Sequence, residues 1–378
     1  MAESAPATVQ AALNQFLTDD LRQQLDGHRQ TVCDHLQGCR TPAMGGMKLS
    51  CDRCGHDQLW YHGCRDRHCP QCQSHAIRQW AERQSASLLP VRYFHLVFTL
   101  PHTLNGWVAL HPEVIYRLLF KAVWGCLKAF GEDPRRLGGQ LGMTAVLHTW
   151  GQNLSRHVHL HCLVPGGALT DEGHWRAARG HYLFPVKALS RRFRGRMVSL
   201  LRHAADHGAL HRVTRAGETR EVLATLMQQA WVVYARDCLN HRRSVVAYLA
   251  RYTRRIAITN RRLVSVDEQS VRFRYRHYRT GRDGVLTLPG SEFIRRYLMH
   301  VLPRGLMRVR HYGFLSNRLR SAKIARIRAS LGRGAEAPVA DPQESSDEAP
   351  GRPCPACPTG RLRLMGELPP IRRWRPPG

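Results

Sequence analysis

The chain has 378 residues, enough for two or three domains and at least one sizeable core. Its 57 Lys and Arg stand against 28 Asp and Glu, a formal charge of +29 that argues against a small neutral substrate and for a polyanion, nucleic acid first. No stretch approaches ~20 apolar residues and Met1 to Phe16 lacks a charged start and an apolar run, so the expectation is a cytoplasmic, nucleoid-associated protein with no membrane partner, its twelve cysteines thiols or metal ligands rather than disulfides.

In chain order, residues 1 to about 40 read as helical, with Leu13, Phe16, Leu17, Leu21 and Leu25 recurring at three or four positions. Then come Cys51-Asp52-Arg53-Cys54, fourteen residues, and Cys69-Pro70-Gln71-Cys72. Two CxxC knuckles at that separation predict a structural Zn²⁺ held by Cys51, Cys54, Cys69 and Cys72, each knuckle donating two thiolates while the loop closes a ribbon. Cys64 and His68 inside the loop, and Cys33, His35 and Cys39 ahead of it, are candidates for a further metal or for exchange with one of the four. Arg53, Arg65, Arg67 and Arg78 decorate this module and suit phosphate contacts.

Val91 to Pro101 alternates as a strand, and residues 107 to 130 have helical spacing broken near Pro112. Gly142 to Gly151 and Arg156 to Pro165 (RHVHLHCLVP) follow as a strand pair, with Gln152 to Arg156 as the polar turn. Alternate side chains of a strand share a face, so His157, His159 and His161 project together above Val158, Leu160 and Cys162. That is a metal clamp or a hydrogen-bonded histidine ladder. His174 to Phe184 reads as loop and short strand, Val186 to His207 as a basic helix and Glu221 to Asn240 as another. In Ser244 to Ile258, Tyr248 and Tyr252 are four apart, so on a helix both hydroxyls leave one face, among Arg251, Arg254 and Arg255.

Ile256 to Val266, Val271 to Tyr278 and Val285 to Leu288 read as strands, Gly290 to Val301 as a helix and Leu306 to Gly313 as a basic strand carrying Arg308 and Arg310. Arginines beside an aromatic suit a sequence-tolerant grip on single strands. Gly332 to Arg352, rich in Ala, Pro, Glu, Ser and Asp, predicts a disordered linker before Cys354-Pro355-Ala356-Cys357, half a zinc knuckle whose partners could be Cys33 and Cys39. The organisation expected is an α+β chain: a helical and zinc-binding segment over 1–85, an antiparallel sheet with covering helices over 90–265, basic strands and a helix over 266–331, and a tail over 332–378.

Five stretches in order, CDRC with RDRHCPQCQ, FTLPHTLN, HVHLHCLVPGG, YLARYTRR and FIRRYLMHVLPRGLMRVRHYGFLSNR, resemble the HUH rolling-circle transposases of the IS91 type, relatives of helitrons and of plasmid replication initiators. The resemblance runs from about Cys39 to Arg320 and implies the HUH-endonuclease fold. It sets the family's His-hydrophobe-His pair on His159 and His161 and its two catalytic tyrosines on Tyr248 and Tyr252. Helitron-like proteins carry a glutamine seven residues before the pair, which makes Gln152 the candidate third ligand and His157 its rival. Where family members often read GGH, this chain has Gly45-Gly46-Met47.

The implied chemistry is cleavage and rejoining of single-stranded DNA at insertion-sequence ends, with one Mg²⁺ or Mn²⁺, through a 5′-phosphotyrosine and a free 3′-OH that primes replication. A replication initiator or relaxase shares that chemistry. A zinc-ribbon regulator without catalysis would bind DNA and leave no covalent adduct, and a metallohydrolase using the His-x-His pair would turn over a small molecule.

Overall fold

The computed structural model describes residues 6–73, 88–180, 182–213, 216–239, 245, 257–277, 280–332 and 352–371. Its centre is a five-stranded sheet ordered β12-β4-β5-β3-β8, with every neighbour antiparallel. The strands are β3 (Tyr93–Thr99), β4 (Gly142–Trp150), β5 (Arg156–Pro165), β8 (Val233–Leu239) and β12 (Val309–Gly313). Alternation along the strands gives the sheet two unlike faces. Leu96, Phe98, Ala145, Leu147, Val158, Leu160 and Cys162 lie under helices α5 (Pro112–Glu132) and α6 (Val186–Asp206) in the main core. A short α4 (Asn105–Leu110) precedes α5, and Pro112 opens α5 at a position where its missing N–H costs nothing. The intervening residues His95, His148, His159 and His161 face the other way.

That second face meets a second core, in which distant segments of the chain pack together. Helices α1 (Val9–Phe16) and α3 (Gly27–Gly38), with a short α2 (Asp19–Gln23) between them, contribute Val9, Leu13, Val32 and Leu36. The three-stranded sheet β11-β10-β9 and α8 (Gly290–Leu298) contribute Val271, Phe273, Phe293 and Tyr297. β9 spans Leu263–Val266, β10 Ser270–Arg276 and β11 Asp283–Pro289. A small ribbon, β1 (Gly46–Cys51) flanked by β2 (Asp57–Tyr61) and β13 (Leu362–Leu368), ties the C-terminal tail to the N-terminal segment. A two-stranded pair, β6 (Gly167–Leu169) and β7 (Trp175–Ala177), and α9 (Arg320–Ser330) are further elements of the described residues.

The α+β order expected from the sequence is what the chain adopts, with two local differences. Helix α7 covers Ala216–Gln228 and stops, and Val233–Leu239 is strand β8 rather than the end of a helix. Val233, Tyr234 and Ala235 pair with Phe98, Val97 and Leu96, so the open edge of β3 overrides the helical spacing. The strand expected over Ile256 to Val266 is confined to β9, because Asn260–Arg262 turns in a 3₁₀ helix just before it. Most of the expected linker, residues 333–351, lies outside the described residues.

The turn between β4 and β5 is held from outside. Gly151 N–H donates to Ser155 O at 2.9 Å, Leu154 N–H donates to Gly151 O at 3.1 Å, and Asn153 Oδ1 accepts from Ser155 N and Oγ at 3.1 and 2.7 Å. Leu154 adopts φ +61°, a conformation branched side chains avoid, and it does so fully buried in the second core. Arg296 donates to Asn153 O at 3.1 Å, and Arg262 reaches Gln152 O. His300, itself 4% exposed, donates from Nε2 to Leu154 O at 3.0 Å and accepts from Thr149 Oγ1 at 3.2 Å through Nδ1.

Burial, and secondarily Arg156, pushes His300 down to about 4 against the pull of the Leu154 carbonyl. The unfolded chain takes up that proton near pH ~6.5 and the folded chain only near the lowered value, so this histidine costs stability as pH falls between the two, by roughly 3 kcal/mol at most. Urea denaturation of His300→Gln should show a lower midpoint at pH 7 and a flatter decline from pH 6.5 to 4.5 than the parent protein. Parallel declines would show that His300 does not report the acid limb.

Candidate metal centres and active site

Side chains of β4 and β5 bring three imidazoles together. His148 and His159 are direct cross-strand partners, and His161 lies two residues on along β5, opposite Val146. Their ligand nitrogens all lie within 4.8 Å of one another. Ring centroids are 5.3 Å apart for His148 and His159, 4.4 Å for His148 and His161, and 4.8 Å for His159 and His161.

Hydrogen bonds behind the rings orient the lone pairs. His159 Nδ1 sits 2.9 Å from the His157 carbonyl, which can only accept, so the proton is on Nδ1 and Nε2 is a bare lone pair. His161 Nδ1 sits 2.9 Å from His95 Nε2, with the two rings stacked at 5.1 Å and 13°. When His161 donates to His95, its Nε2 also presents a lone pair, 3.1 Å from His159 Nε2. Two lone pairs at that distance repel unless a proton or a cation lies between them, and ligands at right angles around a metal at about 2.1 Å stand about 3 Å apart. Burial, and next the neighbouring His157, pushes His159 down to about 4, so it stays neutral and able to ligate at physiological pH. The donor set therefore fits a divalent ion. Its outer partners, His95 and the His157 carbonyl, have the position expected of groups that fix a ligand's tautomer.

The third imidazole is His148, and neither expected third ligand joins the group. Gln152 is exposed in the turn, engaged through its carbonyl by Arg262. His157 packs on His159 at 4.8 Å and on His102 at 5.5 Å, on the outer side of the pair. The reason is reach: the turn carries residue 152 past the end of the paired strands, whereas β4 holds residue 148 opposite His159. An eye on cross-strand register could have found His148, since it stands three residues before the turn's first glycine, on the side of β4 opposite to Leu147.

Tyr248, Tyr252, Arg251, Arg254 and Arg255 lie outside the described residues. The two arginines of the basic strand part company. Arg308 lies over the Trp150 ring at 5.9 Å, and Trp150 stacks on His148 at 4.7 Å, so Arg308 is near the imidazoles. Arg310, opposite Ala145, lies over Phe120 at 4.2 Å on the helix-covered face.

The cysteines form two tetrads, which corrects the single zinc site drawn from Cys51, Cys54, Cys69 and Cys72. Cys69 and Cys72 join Cys64 and Cys39, whereas Cys51 and Cys54 join Cys354 and Cys357. Sulfur separations are 3.5 Å for Cys39 with Cys72 and with Cys69, 3.8 Å for Cys64 with Cys72, and 3.7 Å for both Cys51 with Cys357 and Cys54 with Cys354. Four thiolates round a zinc ion at about 2.3 Å stand about 3.8 Å apart, so both tetrads fit Zn²⁺ and neither fits a disulfide.

Backbone amides donate to the sulfurs: Arg53 N to Cys51, Ala356 N to Cys354, Arg65 N to Cys72 and Cys64 N to Cys39. The amides of Cys54 and Arg53 lower Cys51 to about 6, the thiolate form that zinc takes. Gly360 packs against the second tetrad so tightly that a Cβ there would stand 2.3 Å from Cys51 Sγ.

His68 lies outside both tetrads. Its Nδ1 bonds Asp66 at 2.9 Å and its Nε2 accepts from Leu302 N at 3.2 Å, while His35 takes the other Asp66 oxygen at 3.0 Å. Cys33 stays apart from both tetrads, and burial pushes its thiol up to about 12. Cys33 and Cys39 were candidate partners for the C-terminal knuckle. It pairs with Cys51 and Cys54 because β13 lies alongside β1.

The tetrads predict two zinc ions per chain by native mass spectrometry. Replacing Cys354 and Cys357 by serine should leave one, and Cys39→Ser with Cys64→Ser should remove the other. One ion in the parent protein would refute the division.

Two family models match the chain. Residues 8–100, which carry six of the eight tetrad cysteines, match the family described as "Transposase zinc-binding domain", and residues 142–323, from β4 into α9, match one described as "Putative transposase". Among curated proteins, "Putative transposase y4qJ" of Sinorhizobium fredii is 43% identical over 363 residues, 91% of this chain and 91% of its own length. "Transposase for insertion sequence element IS801" of Pseudomonas savastanoi pv. phaseolicola is 27% identical over 315 residues, 78% of this chain and 72% of its own. No solved structure matches the chain significantly. With a zinc-binding segment, an imidazole hairpin and a relative matched nearly end to end, the chain belongs to the IS91 family of transposases.

Proposed function

We propose that this transposase cleaves and rejoins single-stranded DNA at the ends of its insertion sequence, with Tyr248 or Tyr252 as nucleophile and a divalent ion held by His148, His159 and His161. The observation that carries the reading is the convergence of three imidazoles, two of them with Nε2 atoms 3.1 Å apart, on one face of an antiparallel sheet. A bound ion there would draw charge from the scissile phosphate and orient it for in-line attack.

The chain's own residues do the rest. The His157 carbonyl holds the His159 tautomer, and His95, accepting from His161 Nδ1, would hold the His161 tautomer that brings the two Nε2 lone pairs together. A tyrosine hydroxyl gives up its proton, its oxygen bonds to phosphorus, and the bond from phosphorus to the 3′ oxygen breaks, that oxygen leaving as a 3′-OH. Storing the ester as 5′-phosphotyrosine allows rejoining without an external energy source. Tyr252 stands five residues before Ala257, a span of chain of at most ~18 Å, and Ala257 shares a cavity wall with Trp150, the ring stacked on His148. Three imidazoles with no carboxylate among the described residues of the cluster favour Mn²⁺ over Mg²⁺ at equal concentration, the latter preferring oxygen ligands. The net charge of +29 suits a DNA partner, in the cytoplasm, and no helix of the described residues is long and apolar enough to cross a membrane.

The experiment is capture of a labelled single-stranded oligonucleotide bearing the element's end sequence. Tyr248→Phe combined with Tyr252→Phe should abolish the covalent adduct, and an adduct that persisted would remove the nucleophile assignment. His148→Ala should lower cleavage by about a hundredfold or more while Gln152→Ala changes it only a few-fold; the reverse order would return the third ligand to Gln152. EDTA should stop the reaction. Titration of the stripped protein should then show half-maximal activity at lower Mn²⁺ than Mg²⁺, and equal midpoints would contradict the donor-set argument.

A further inference from the structure

The face of the central sheet that carries the imidazoles continues past them to the β8 edge. Cross-strand partners share a face, and the register sets out two rows. In one, His148 of β4 stands beside His159 of β5 and then Thr99 of β3, whose amide donates to the Val232 carbonyl at 3.1 Å. In the other, Val146 is followed by His161, Val97 and Tyr234 of β8. Val233 is buried in the helix-covered core and Ala235 packs against that core, so Tyr234 between them points the other way, onto the imidazole face. Val232, one residue before the strand begins, lies exposed beside it.

Tyr234 is 51% exposed and Val232 58%. Single exposed apolar side chains are ordinary on a protein surface. These two adjoin each other, and half-buried Val97 and Thr99 connect them to His161 and His159. Adjacent strands lie about 4.8 Å apart, so the Tyr234 backbone is about 10 Å from that of His161. Among the described residues the Tyr234 ring has no hydrogen-bond, aromatic or cationic partner. A phenol ring turns about only two side-chain bonds, so ordering it against a ligand costs little entropy. A nucleobase is the group such a ring holds by stacking, and a chain of net charge +29 attracts the phosphates that come with it. A further strand paired to β8 would use the backbone groups of the edge and leave the face of the ring uncovered, so edge pairing does not account for it.

We propose that Tyr234 stacks on a nucleobase of the single strand within about three nucleotides of the scissile phosphate, bases in a stacked strand being ~3.4 Å apart and farther when stretched. Val232 extends the apolar floor beside the ring. This rests on the cleavage reading above and adds to it a path: the strand runs from the imidazoles across β3 to the β8 edge, and the stacked base fixes which phosphate lies at the imidazoles.

The test uses the full-length zinc-bound protein. In a titration with fluorescein-labelled oligodeoxythymidine, Tyr234→Ala should bind about tenfold more weakly than the parent, and Tyr234→Phe, which keeps the ring and loses the hydroxyl, should recover the affinity. Undiminished binding by Tyr234→Ala, or no recovery in Tyr234→Phe, would overturn the proposal. A single 5-iododeoxyuridine in the same oligonucleotide, cross-linked to the parent protein in near-ultraviolet light, should label Tyr234 when mapped by mass spectrometry. Labels confined to other residues would overturn it as well. So would a lower molar mass of Tyr234→Ala by light scattering with DNA binding unchanged, which would make this face a contact between copies of the chain. The covalent adduct of the parent protein with the element's end sequence is scored in parallel. If it forms while Tyr234 is never labelled, the stacking role fails and the cleavage reading stands; if Tyr234 is labelled and no adduct forms, the stacking role stands and the nucleophile assignment fails.

Discussion

The pairing of β4 with β5 is the constraint on which the proposed chemistry depends. Side chains alternate across a sheet, so a slip of one residue would send His159 and His161 into the helix-covered core and bring Leu160 out. Two forces oppose the slip. Leu147, Val158, Leu160 and Cys162 are buried under α5 and α6, and the turn from Gly151 to Ser155 is closed by its own hydrogen bonds. The second core adds a third, because buried Leu154 is seated there in a left-handed conformation and its carbonyl is taken by His300. The imidazoles are thus placed on a rigid scaffold, as a site with demanding geometry requires.

That second core explains why segments at opposite ends of the chain must meet. Helices α1 and α3 and the first cysteine tetrad pack with β10 and α8 in the same core that seats Leu154 of the hairpin turn. Buried Asp66 extends the connection, accepting from both His35 and His68, while Tyr297 donates to the His68 carbonyl at 2.6 Å. His35 and His68 hold Asp66 far below the usual carboxylate range against the opposing effect of burial. The second tetrad works on a larger scale, joining residues about 300 positions apart and fastening β13 to β1. In thermodynamic terms, zinc bound there closes a very long loop, and the gain grows slowly but steadily with loop length.

Charge is organised to meet a polyanion rather than to stabilise the fold. Most ion pairs among the described residues are exposed and local, such as Arg29 with Asp26 or Arg295 with Glu292, and pairs of that kind add little stability. Several arginines act instead through aromatic rings or backbone carbonyls. Arg310 covers Phe120, Arg67 binds three carbonyls, and Arg308 lies over Trp150. A net charge of +29 repels itself in the free protein and is relieved by phosphate.

The sequence by itself determined most of the sheet and helix order, the faces of the β5 histidines and the metal-binding character of the CxxC pairs, because each follows from local periodicity or from short spacing. The five-stretch resemblance also carried the family. Tertiary structure decided what depends on distant neighbours: that His148 rather than Gln152 or His157 completes the imidazole group, that β8 is strand, and that the four CxxC-type cysteines near the N-terminus divide between two tetrads. Spacing along the chain says which cysteines can share a knuckle. It cannot say which knuckles meet, since that is set by the pairing of β1 with β13 and by the burial of Cys39 beside α3, contacts that exist only once the two ends of the chain have folded onto each other.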